Sequence, residues 1–296
     1  MTSLRTKISS WLPQGLRPYG RRLARRGDQL LHARSARRRP GVAVMLHVGR
    51  CGSTVLANML DQNPAIHWDG KLPRKAGSLY GDAVKRLDFG RWMKRQFATS
   101  GDRYYGFEFK ILADQYPAIL GATTQEFLEQ CKAAGVTHYI LLTRRNTLRH
   151  VISHYASIAR GAWHMSARDR AGQEHLHLDT EKITTGSAPG RPLISYLREV
   201  DEAHRQVRAL LRDQNLLEVE YEADIDAQGP ATAYEKICRF LGIAPERANV
   251  RNSKANPFPM SSTVTNFDEI EACLSGTEFE WMLERDAADP AAPDAS

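Results

Sequence analysis

The chain has 296 residues, 42% apolar and 25% charged, which suits an α/β domain of ordinary composition that needs no disulfides to build a core. No run approaches the ~18 apolar residues of a membrane-spanning helix. The 41 Lys and Arg exceed the 34 Asp and Glu by seven, but the excess is local: residues 1–40 hold 11 basic residues and one acid, Asp28, and the remainder holds 30 against 33.

Residues 1–40 are therefore expected to form a basic arm, solvated or lying on an anionic membrane surface; aromatic residues are too sparse there for specific nucleic-acid reading. The N-terminus lacks the apolar core of a secretory signal. Cys51, Cys131, Cys238 and Cys273 are far apart and at no zinc spacing, so a reducing compartment, the cytoplasm, is expected, with peripheral contact at the inner membrane face through the arm.

The folded body is expected over 41–285. Residues 42–48 (VAVMLHV) read as a buried central strand, and 54–61 as the helix after it. A short strand follows at 65–68, a Gly/Lys/Pro-rich loop at 70–82 and a polar helix at 83–97. A third strand lies at 104–110 (YYGFEFK), with helices near 113–121 and 124–134. The fourth strand, 136–143, leads to a helix over 147–160. Residues 161–190 read as loop, then come a helix at 193–213, a fifth strand at 216–221, a helix at 232–241 and a last helix near 267–284. Residues 286–296 are a low-complexity tail. Strands alternating with helices predict an α/β fold with a central parallel sheet flanked by helices.

Between the first strand and its helix stands Gly49-Arg50-Cys51-Gly52-Ser53-Thr54. Glycines let the backbone turn tightly, the free N–H groups of the turn and first helical turn can hold an anion, Ser53 and Thr54 add hydroxyls and Arg50 adds a charge. A nucleotide kinase would need G-x-x-x-x-G-K-[ST]; here no Lys follows Gly52, and the basic residue precedes the second glycine.

This loop resembles the phosphosulfate-binding loop of the PAPS-dependent sulfotransferases. In that family an Arg ends the fourth strand and a Ser stands eight residues later, both on the 3′-phosphate of PAPS (3′-phosphoadenylyl sulfate); Arg145 and Ser153 have that spacing, with Arg144 and Arg149 as neighbouring alternatives. The segments VEYEADI…FLGI, GAWH and 251–283 are similar to bacterial carbohydrate-type sulfotransferases. The resemblance implies a P-loop-like fold and a PAPS site made of Gly49, Arg50, Cys51, Gly52, Ser53, Thr54, Arg145, Ser153 and Lys254. It also implies transfer of a sulfuryl group, with no metal, to a hydroxyl of a carbohydrate or glycoconjugate.

Such a reaction needs charge stabilisation, for which Arg50 is the candidate, and a proton acceptor. Many relatives place a catalytic Glu after the second strand in a Gly-Glu pair; here the pair is Gly70-Lys71. Lys71 suits an acidic acceptor or the sulfuryl oxygens better than the role of base. The candidate bases are Glu108, on one strand face with Lys110, then Asp69, then His67 and His164. Two other classes fit the same residues: a small-molecule kinase with a degenerate loop, and a non-catalytic nucleotide-binding module.

Overall fold

The apolar run after Gly41 forms strand β1, Val42–His47, every residue of which is buried. The computed structural model describes residues 27, 29–32, 34–161, 172–186, 189–252, 254 and 256–283. Most of the basic arm, the 286–296 tail and His164 lie outside the described residues. Four further strands, β2 (Ile66–Lys71), β3 (Tyr104–Lys110), β4 (His138–Thr143) and β5 (Leu216–Glu220), join β1 in one sheet of order β2-β3-β1-β4-β5. All four pairings are parallel. The parallel α/β sheet flanked by helices is the architecture expected from the strand–helix alternation.

A parallel sheet is covered on both faces, which is why its strands read as apolar runs. On one face Val42, Val44 and Leu46 meet Tyr105, Phe107, Phe109, Tyr139 and Leu141. They are packed by α2 (Leu72–Tyr80), α3 (Phe89–Phe97), α4 (Tyr116–Leu120), α5 (Thr124–Ala134), α6 (Thr147–Ala159) and α7 (Leu193–Leu210). On the other face Ala43, Met45, Ile140, Leu142 and Val219 are packed by α1 (Ser53–Leu60) and α8 (Pro230–Phe240). Gly106 is the close approach in β3: a Cβ there would stand 2.0 Å from Trp68 Cε3 of β2, so only glycine lets that indole lie on the sheet.

Two segments differ from their reading in the sequence. Residues 70–82 are not a loop: β2 runs to Lys71 and α2 follows at once. Pro73 sits in the first turn of α2, where its missing N–H costs nothing, and Leu72, Ala76 and Leu79 form a buried stripe. The polar helix expected at 83–97 is a 3₁₀ segment, Gly81–Arg86, followed by α3, which Asp88 caps by accepting from the Arg91 N–H. After β5 the chain makes a π-helical turn, Tyr221–Asp226, that no sequence pattern announced. The expected last helix is two pieces, α10 (Phe267–Leu274), which follows the short α9 (Met260–Thr263), and a 3₁₀ turn, Glu280–Leu283. Among the described residues no helix is long and apolar enough to cross a membrane.

Candidate anion site and adjoining cleft

The β1–α1 loop turns through three left-handed residues, Gly49 (φ 104°), Arg50 (φ 47°) and Gly52 (φ 84°). Arg50 is the non-glycine residue in that region among the described residues, a conformation that costs an L-residue about 1–2 kcal/mol. Three side-chain interactions hold it there. Arg50 Nε and Nη2 donate to Ser153 Oγ of α6 at 3.1 and 3.0 Å. Arg144 Nη1 donates to the Arg50 carbonyl at 3.0 Å. The Arg144 guanidinium in turn lies 4.5 Å over the Tyr221 ring. Gly52 is hemmed by the π turn: a Cβ there would stand 2.6 Å from Ile225 Cδ1. Gly52 also caps α1 without a side chain to take the first-turn N–H groups, and Ser53 and Thr54 open the helix. The loop thus has the backbone form from which glycines at a strand–helix junction build anion cradles.

Charge accumulates around it. Lys110, at the end of β3, brings its Nζ within 3.2 Å of where a Gly49 Cβ would stand. Burial, then Lys71, pulls the Lys110 ammonium down to about 8. Burial and the neighbouring Arg144 and Arg160 pull Arg50 down to about 10. On α6, burial pulls His154 down to about 4, helped by Lys110 and Arg50, and His150 moves the same way for like reasons, so both imidazoles are neutral at neutral pH. Each of these displacements reports the same condition, positive charge held close together out of water, which a bound polyanion relieves. The Cys51 thiol is fully buried and burial pushes it up to about 11, so Cys51 can serve the loop only through its backbone.

The residues expected to bind PAPS divide in three. Gly49 through Thr54 and Ser153 come together, joined by Arg50. Arg145 is exposed at the rim, its guanidinium 5.6 Å over the Trp281 ring, while its N–H donates to Glu222 Oε2 at 2.9 Å. The buried arginine at this strand end is Arg144. Lys254 pairs with Asp226 at 3.1 Å, at the far end of the π turn. Arg144 was expected here as a neighbouring alternative to Arg145, whereas Lys110, Tyr221 and Glu222 were not singled out for this site from sequence; only the position of Lys110 at a strand end signalled it.

The candidate bases also separate. Glu108 is 3% exposed and lines a cavity of about 480 Å³ with Gly70, Lys71, Arg74, Lys75 and Ser78. Its Oε2 lies 3.3 Å from His47 Nε2. Burial raises the Glu108 carboxyl, but His47 and Lys71 outweigh it and hold the group below the ordinary range. Asp69 is buried, with Oδ2 accepting from Tyr105 Oη at 2.6 Å and Oδ1 from Lys75 Nζ at 2.6 Å. His67 Nε2 lies 3.3 Å from Thr99 Oγ1 on the β2 edge. Of these three, Glu108 is the one in the cavity wall.

No protein-family model matches the chain, and no curated protein matches it. Among solved structures, an unliganded sugar kinase from Janibacter sp. HTCC2649 is similar, at 15% identity, covering 71% of this chain and 98% of that one, with a TM-score of 0.34. A likeness of that degree carries no argument about chemistry.

The Lys110 ammonium is expected to make the binding of a polyanion here depend on pH. A bound polyanion favours its charged form, so affinity is full below pH 8 and falls as pH rises through that value, by up to tenfold per unit. Arg50, near 10, and His154, near 4, titrate outside this window. Calorimetric affinity for 3′,5′-ADP is expected to fall about tenfold between pH 7.5 and 9, with the phosphates fully ionised throughout. Lys110→Met is expected to bind more weakly at pH 7.5 and to lose the slope; an unchanged slope would move the dependence to another group.

Proposed function

We propose that this protein is a PAPS-dependent sulfotransferase acting on a hydroxyl of a carbohydrate or glycoconjugate. The observation that carries the reading is the Arg50–Ser153 contact, which joins the glycine loop and the strand-to-helix motif, 103 residues apart, into one cationic site at the carboxyl ends of β1 and β4. The donor set fits a nucleotide bearing two anionic groups: backbone N–H groups of the loop, the Ser53, Thr54 and Ser153 hydroxyls, and the charges of Arg50, Lys110 and Arg144. PAPS supplies the sulfuryl group. Glu108 accepts the proton of the acceptor hydroxyl as the acceptor oxygen bonds to sulfur; the bond from sulfur to the phosphate oxygen breaks, and its electron pair leaves with 3′,5′-ADP. Arg50 and Lys110 offset the charge that grows on that oxygen.

A 3′-phosphate is what separates this donor from ATP. 3′,5′-ADP is therefore expected to raise the thermal midpoint more than 5′-AMP at equal concentration, since its second phosphate adds contacts to the native state alone. Mass-spectrometric detection of sulfate gain in an acceptor screen with PAPS then tests turnover. Equal stabilisation by the two nucleotides, or a preference for Mg-ATP, would sink the proposal; nucleotide binding without turnover on any acceptor would leave a binding module.

A further inference from the structure

The cavity beside Glu108 has a cationic wall of which the proposed transfer uses one member, Lys71, to help hold Glu108 ionised. Lys71, Arg74, Lys75 and Ser78 all line it. Their spacing, i, i+3, i+4 and i+7, is one face of α2 and its N-cap. The adjacent face of α2, roughly a third of a turn round, is the buried stripe of Leu72, Ala76 and Leu79, which fixes the helix so that it cannot turn these cations away from the cleft.

Two of the three cations on this face have no ion-pair partner among the described residues. Lys75 is paired with Asp69. Among the described residues no carboxylate lies within ion-pair distance of Lys71 or Arg74, and α2 itself contains no acidic residue. The acid in the cavity wall is Glu108, which is engaged with His47 on its other side. Lys71 and Glu108 are register partners across β2 and β3, and a Gly70 Cβ would stand 3.9 Å from Glu108 Oε1, so the cationic face and the carboxylate border one space. A volume near 480 Å³ is in the range of small-ligand sites.

We infer that this cavity is an acceptor subsite for a sugar bearing its own anionic group, a carboxylate held by Lys71 and Arg74 while a neighbouring hydroxyl faces Glu108. The inference rests on the sulfuryl-transfer reading and names its substrate class. Arg74 offers a planar fork suited to a carboxylate, and Lys71 a point charge beside it. A neutral sugar leaves both cations without a partner and gains nothing from them.

The test uses the full chain saturated with 3′,5′-ADP at low salt. Matched pairs of uronate-containing oligosaccharides and their carboxyl-reduced counterparts are titrated calorimetrically. At least one charged member is expected to bind tenfold or more tightly than its reduced partner, and to gain sulfate with PAPS in preference to it. Arg74→Met is expected to shrink the difference and leave 3′,5′-ADP affinity unchanged, and Lys71→Met with Arg74→Met to abolish it. Donor affinity is read in Arg74→Met because Lys71 is close enough to Lys110 and Glu108 to shift both, and the same single variant carries the test should the double one fold poorly. Equal binding within every pair, a preference that survives the double substitution, or a loss of 3′,5′-ADP affinity in Arg74→Met would each overturn the inference, the last by assigning that cation to the donor. A charged-sugar preference without a preference for 3′,5′-ADP over 5′-AMP would instead retire the donor reading and leave the anionic subsite standing.

Discussion

Glu108→Gln is expected to lower turnover by about 10²-fold or more, the scale of general-base help, with 3′,5′-ADP affinity retained. The substitution keeps the shape of the side chain and removes its capacity to take a proton. Burial pushes the Glu108 carboxyl toward its neutral form, and a neutral carboxyl is no base. His47 at 3.3 Å and the nearby Lys71 outweigh burial and hold the group ionised. His47 itself is fully buried, and burial pulls it down, so at neutral pH it serves as a neutral partner rather than as the titrating base. Because the Glu108 carboxyl is depressed, its catalytic form is present above its folded pKa and is lost as pH falls through that value. The acidic limb of kcat/KM is therefore expected below the ordinary carboxylate range.

Two controls make the expectation specific. Asp69→Asn removes a carboxylate that already holds Tyr105 and Lys75, so a loss of stability in urea unfolding is expected, with turnover per folded molecule little changed. His164→Ala tests the remaining candidate. Near-native turnover in Glu108→Gln alongside a collapse in either of these two variants would reassign the base.

Arg50→Ala is expected to weaken 3′,5′-ADP binding and to lower turnover with PAPS still further, because in the proposed reaction its charge would offset negative charge growing on the leaving oxygen. A charged hydrogen-bonding partner is worth about 1.5–3 kcal/mol, so the combined loss in kcat/KM is expected near 10²-fold. The same variant cuts the tie between the loop and Ser153 that the Arg50 fork makes by two bonds to one hydroxyl. Arg50→Gly separates the side chain from the backbone. Alanine at φ 47° keeps the strain of arginine, whereas glycine relieves it, so the glycine variant is expected to be about 1 kcal/mol more stable than the alanine variant and equally inactive. A fall in affinity with turnover unchanged would confine Arg50 to ground-state binding.

The three central strands β1, β3 and β4 were legible because each had to be buried on two faces. Residues 42–48 could be nothing else in an α/β alternation, and β3 declared its faces by period two, with Tyr105, Phe107 and Phe109 in one core and Glu108 and Lys110 off it. The loop was legible for a different reason: glycine is the residue that turns left-handed at little cost, and two of the three left-handed positions here are glycines. Helix α2 was not legible. Its Gly, Pro and Lys content resembles a loop, and its stabilisation comes from a stripe of three apolar residues packed on the sheet, not from propensity.

The sequence by itself determined the parallel sheet, the position of the glycine loop on it and the eight-residue interval from Arg145 to Ser153. Those features follow from local chemistry, apolar runs and glycine spacing, which a chain carries wherever it goes. Only the tertiary structure decided that Ser153 meets Arg50, that Arg144 and not Arg145 is the buried arginine, and that Lys110 reaches Gly49. It also decided that Glu108, not Asp69, borders the cavity, because Tyr105 and Lys75 already occupy Asp69. The reason is geometric: a side chain's partners are set by strand order and by the turn that ends each strand. The order β2-β3-β1-β4-β5 brings together residues from positions 49 to 222 that no sequence spacing connects.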